Sequence, residues 1–172
     1  MVLNSILIDP FPDKLLKKRT RLAIFARLLA TPTIDMMTSA FAENAILPRA
    51  VTYREDCFCF EKEQLQKEVA WYHPSSDLIV PLLKKKLGEF QKLPHADRPA
   101  SLILVPKFKS RFQYLYARYH VVTRIKAFSS PFQVFRNGHL SDLPPTEVPY
   151  LVLSSLPLPT LRERARSLSL SF

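Results

Sequence analysis

Residues 69–106 constrain the fold more than any other stretch. An apolar run, VAW, leads into His73-Pro74-Ser75-Ser76, and Ile79, Leu82, Leu83, Leu87 and Phe90 then recur at helical spacing. Asp77 stands where it can cap that helix, Pro81 falls in its first turn, and Lys84-Lys85-Lys86 read as a solvated face. After the loop KLPHADRPA, SLILVP reads as a buried strand stopped by Pro106. Strand, helix and strand in that order predict an α/β sheet. The end of a strand and the start of a helix are also where such sheets place chemistry, so the tetrapeptide is the first candidate site.

The rest of the chain fits the same class. TPTIDMM is a short strand, AVTYREDCFCF alternates enough for another ending near Asp56, and EKEQLQKE favours helix. YHVVTRI, FQVF and VPYLVLSSL read as three further strands, expected as antiparallel additions. In KLLKKRTRLAIFARLLA, Leu15, Leu22, Phe25 and Leu29 share one helical face, with Lys17, Lys18, Arg21 and Arg27 largely outside it. That pattern predicts a surface helix with a solvated basic face, a nucleic-acid or membrane-surface helix being the alternative. The expected organisation is one domain over residues 1–155, followed by a basic Ser/Leu-alternating appendage over 156–172.

Composition removes several function classes. Only two glycines, Gly88 and Gly138, stand against fifteen prolines, so neither a phosphate-cradling loop nor a dinucleotide fingerprint can form. Cys57 and Cys59 are too close along one strand for a good disulfide, and no zinc spacing links them to His73, His95, His120 or His139. Two reduced thiols and no metal are expected. No apolar run reaches the ~18 residues of a membrane span. The expected setting is intracellular: nuclear, cytoplasmic or an organelle matrix. The basic segment from Lys14 to Arg27 fits a mitochondrial address, while Asp9 and Asp13 speak against it. A net charge of +10 on 172 residues points to a polyanionic partner or an acidic assembly surface.

The order of the pieces resembles the adenine-N6 methyltransferase fold. The likeness is to short phage- and retroelement-associated DNA adenine methyltransferases and, more distantly, to cap-adjacent adenosine methyltransferases. It rests on TIDMMTSAFAENA with Asp35 and Asn44, REDCF with Asp56, HPSS in the catalytic slot, LILVPKF with Pro106 and Phe108, and FQVFRNG with Phe135, Arg136 and Gly138. These lie in collinear order over roughly residues 8–155. The resemblance implies a Rossmann-like methyltransferase-type sheet with helices on both faces and antiparallel C-terminal strands. It implies that Asp35, at the end of a strand, lies near the ribose or methionine part of S-adenosylmethionine. Asp56 would lie near the cofactor's adenine, and Asn44 in the same pocket. A capping or solvent-facing acid is the competing role for each carboxylate.

At the catalytic motif the sequence departs from the family. His73 replaces the Asn or Asp acceptor, Pro74 alone survives of two prolines, Ser75 follows, and Ser76 replaces the base-stacking aromatic. A neutral imidazole can accept one hydrogen bond. Ser76 cannot stack, and stacking is worth about 1–3 kcal/mol per base. HPSS therefore reads as a former active site, with no cofactor expected, or as a plain strand–turn–helix junction.

Between Asp97 and Asp142 the chain has no acidic residue. That interval carries Arg98, Lys107, Lys109, Arg111, Arg118, Arg124, Lys126 and Arg136, with Phe108, Phe112, Tyr114, Tyr116, Tyr119 and Phe128 interleaved. Cations that track phosphates and aromatics that stack on bases are what single-stranded nucleic acid requires. Lys107, Phe108, Lys109, Arg111, Arg118, Arg124, Lys126 and Arg136 are the candidate nucleic-acid contacts. The competing reading makes the aromatics core and the charges a rim.

Three functions follow. The first is a catalytically degraded methyltransferase-like domain that binds nucleic acid or scaffolds a partner subunit in a larger complex. The second is an active S-adenosylmethionine-dependent adenine-N6 methyltransferase, with His73 in the acceptor's place. The third is an unrelated basic structural subunit of a ribonucleoprotein particle.

Overall fold

The computed structural model describes residues 14–38, 50–52, 65–107 and 112–170. In chain order its elements are β1 (Leu15–Leu16), α1 (Lys18–Leu28), β2 (Ile34–Thr38), β3 (Ala50–Thr52), β4 (Val69–Tyr72) and α2 (Ile79–Phe90). There follow β5 (Ala100–Pro106), α3 (Gln113–Tyr116), β6 (His120–Ile125), β7 (Phe132–Arg136), β8 (His139–Asp142), β9 (Tyr150–Ser154) and α4 (Leu158–Leu170). The protein is a mixed α/β structure.

Six strands form the main sheet in the order β3-β2-β4-β5-β9-β6. β3, β2, β4 and β5 run parallel, while β9 is antiparallel to both β5 and β6. A smaller antiparallel sheet, β1-β7-β8, packs beside it. The central strands are apolar at nearly every position because both faces are covered. Ala70, Tyr72, Ile103 and Val105 face α2, which contributes Ile79, Leu82, Leu83, Leu87 and Phe90. Val69, Trp71, Leu102 and Leu104 face the opposite way, onto Ile24, Phe25 and Leu28 of α1, Phe132 of β7 and Leu161 of α4.

Four local expectations are corrected. α1 does not begin at residue 14: Leu15 and Leu16 pair with β7, and the Lys17 N–H donates to the Pro131 carbonyl. Started later, the helix buries Ile24, Phe25 and Leu28, and leaves Leu22 and Leu29 exposed. Asp77 does not cap α2; it accepts the Ser75 hydroxyl at 2.6 Å instead. Lys86 is not on a solvated face but 1% exposed, with its ammonium 3.0 Å from Glu89 and 4.9 Å over the Tyr72 ring.

The fourth correction concerns the C-terminal appendage, which is a docked helix. Leu158, Leu161, Ala165 and Leu168 recur at helical spacing beneath the Ser/Leu alternation and pack against the core. Arg162 donates to the Leu28 and Arg27 carbonyls, and Arg164 to those of Arg98 and Ala96. These carbonyls belong to the end of α1 and to the loop before β5.

Candidate functional site

From β2 the chain moves to one side, to β3, and then returns to β2's other flank for β4 and β5. At such a reversal the crevice outside the carboxyl ends of the strands is where open α/β sheets bind ligands. His73-Pro74-Ser75-Ser76 lie at this point, directly after β4.

The tetrapeptide is tied into its surroundings. The half-buried His73 ring stacks on Phe132, with centroids 5.3 Å apart and planes at 19°. Phe132 in turn meets Tyr150 edge to face at 4.8 Å, and the Lys14 ammonium lies 5.6 Å from its ring centre. Pro74 is buried, and the Ser75 carbonyl accepts the Leu78 N–H at 2.9 Å, which closes a short 3-10 turn over Ser76–Leu78. The chemistry on offer is narrow: one imidazole fixed by stacking and two serine hydroxyls, with no carboxamide or carboxylate in the tetrapeptide. Phe132, Tyr150 and Lys14 were not legible as parts of this site. Each belongs to a different strand or loop: Phe132 of β7 stacks on His73, and Tyr150 of β9 and Lys14 beside β1 meet Phe132.

Asp35 does not stand at a strand end. It is the second residue of β2, buried and paired with Trp71, and its Oδ1 accepts the Met37 N–H at 3.3 Å where the register with β3 shifts. Asn44 and Asp56 lie outside the described residues. Gly88 is inside α2 and Gly138 is in the β7–β8 turn, so neither lets a ligand approach the ends of β2 or β4.

The basic candidates separate into groups. Phe108, Lys109 and Arg111 lie outside the described residues. Pro106 and Ile125 both register with Tyr150, so Lys107 and Lys126, the next residues, emerge together at the carboxyl edge of the sheet. Arg124 is exposed on the same stretch of β6. Glu147 is exposed on the connection between β8 and β9. Arg118 lies before the opposite end of β6 and donates to Gln91 at 3.0 Å. Arg136 is exposed next to the β7–β8 turn. On that hairpin Asp142 pairs with Lys17 at 3.0 Å, and hydrogen bonds from Lys17 and Gln133 hold its carboxyl below the usual carboxylate range.

The interleaved aromatics among the described residues divide between core and surface. Phe112, Tyr116 and Tyr119 are buried. The Tyr116 hydroxyl donates to the Pro106 carbonyl at 2.8 Å and that of Tyr119 to Leu83 at 2.7 Å. Burial pushes both phenols well above their ordinary range. Tyr114 and Phe128 are exposed, Phe128 at 78%. Phe128 also has φ +63°, a left-handed conformation that costs an L-residue about 1–2 kcal/mol.

Among the described residues no group of three His, Cys, Asp or Glu side chains could hold a metal ion. No helix among them is long and apolar enough to cross a membrane. The chain matches no family model and no curated protein.

Proposed function

We propose that the main sheet is a Rossmann-like, methyltransferase-type sheet whose catalytic motif has degenerated. The protein then works by binding nucleic acid, or by holding a partner subunit, through its basic carboxyl edge. The observation that carries this reading is the tetrapeptide at the strand-order reversal. The position suits a transferase, while the side chains offer neither the acceptor pair nor the stacking ring that transfer to an adenine amino group needs. Two further features support it: β9 joins the parallel strands in antiparallel pairing beside β5, and both faces of the sheet carry helices. Retention of Lys107, Arg124 and Lys126 around the same edge fits a protein that kept the surface and lost the reaction.

The test is binding of a short adenine-containing oligonucleotide across a salt series. Affinity should fall linearly on a logarithmic salt axis, and Lys107→Glu with Lys126→Glu should lower both the affinity and the slope, by roughly one to two phosphate equivalents. Binding unchanged by the double substitution would remove the basic edge from the account.

A further inference from the structure

Phe128 is the most exposed large apolar side chain described, and it holds a backbone conformation that bulky L-residues rarely adopt. The loop does not leave it there by default. Its N–H donates to the Thr146 carbonyl at 2.6 Å, the Thr146 N–H donates back to the Ser129 carbonyl at 2.9 Å, and the Ser129 hydroxyl donates to the Lys126 carbonyl at 2.6 Å. Three hydrogen bonds thus hold the backbone that leaves this aromatic side chain exposed, at a conformational cost that persists only where surrounding structure enforces it. An asparagine or glycine would satisfy the same turn with less strain. Stability therefore gives no reason for a phenylalanine here.

The position gives one. Phe128 is two residues past Lys126, and the 146–149 segment that its loop grips also receives the Lys107 N–H at Pro149, 2.8 Å away. An exposed ring among hydrogen-bonded segments that also carry exposed Lys107 and Lys126 is the pairing that unpaired nucleotides use, base on the ring and phosphates on the cations. Four residues further on, the same loop delivers Phe132 to His73. Resting on the nucleic-acid reading above, we infer that Phe128 is the base-stacking residue of this surface and that its ligand is an unpaired nucleobase in a single-stranded or locally opened strand.

The test uses the full chain and a labelled oligothymidylate of about 20 nucleotides, with a duplex of equal length for comparison. Phe128→Asn, which suits the left-handed turn, should bind the single strand about tenfold more weakly, with an unchanged salt slope and no loss of thermal stability. Phe128→Trp should keep the affinity. Because the chain's single tryptophan, Trp71, is buried, the new indole should be the one quenched when the oligonucleotide binds. Wild-type affinity in Phe128→Asn, or an unquenched Phe128→Trp on a bound strand, overturns this inference and leaves the basic edge standing. Failure of the wild-type chain to bind any oligonucleotide removes both, and would leave a protein surface as what the ring meets.

Discussion

At the residue scale, glycine scarcity leaves a visible mark. Helix α1 ends in a Schellman-type turn, with the Ala30 N–H on the Phe25 carbonyl and the Leu29 N–H on that of Ala26. The left-handed position is filled by Leu29 at φ 52°, where glycine is the usual choice. One of the two glycines, Gly88, meanwhile sits inside α2, where an added Cβ meets nothing within 4 Å. Leu29→Gly and Gly88→Ala should each stabilise the protein by about 0.5–1 kcal/mol in urea unfolding, since each trade puts the residue where its backbone preference lies.

A second residue-scale consequence concerns pH. His120 faces His95 at 5.9 Å, with Arg98 nearby. Burial first, then the neighbouring His95 and Arg98, lower its pKa from 6.5. The folded state therefore takes up this proton less readily than the unfolded chain. Its contribution is intact above about pH 6.5 and is lost as pH falls through the lowered folded value. Unfolding midpoints should decline on acidification below pH 6.5, and His120→Gln should flatten that decline. An identical slope in the variant would exclude His120 as the cause.

At the scale of elements, strands were legible and phases were not. VAW, SLILVP, YHVVTRI, FQVF and VPYLVL all form strands, because continuous apolar runs bounded by prolines and polar turns have few other solutions. α2 was equally legible, its stripe being complete over three turns. α1 starts later than its pattern suggests because Leu15 fits a helical stripe with Leu22, Phe25 and Leu29 that pairing with β7 overrides. α4 was missed because SLSLSF advertises period two, while Leu158, Leu161, Ala165 and Leu168 keep period 3.6 underneath. Leu161→Ala should cost about 2–4 kcal/mol in denaturant unfolding, and Leu22→Ala less than about 0.5 kcal/mol. Comparable losses at both positions would contradict the burial of α4 and the orientation of α1.

At the scale of the whole molecule, the sequence could not show which aromatics reach the surface. Tyr116 and Tyr119 are interleaved with arginines along the chain yet hydrogen-bond inside the core, because α3 and the turn before β6 point them inward. The position of HPSS was legible, since strand and helix flank it in sequence; its stacking on Phe132 was not, since the partner is 59 residues away. The described basic candidates do not gather in one place. Lys107, Arg124 and Lys126 gather at the carboxyl edge, while Arg118 and Arg136 lie elsewhere.

We propose a methyltransferase-type sheet that has kept a nucleic-acid surface without the reaction. Calorimetric titration of the full chain with S-adenosylmethionine, with and without an adenine-containing oligonucleotide, tests it most directly. No saturable heat from the cofactor is expected in either titration, and salt-sensitive binding is expected of the oligonucleotide alone. Saturable cofactor binding, with methyl transfer abolished by His73→Ala, would contradict it and make the protein an active enzyme.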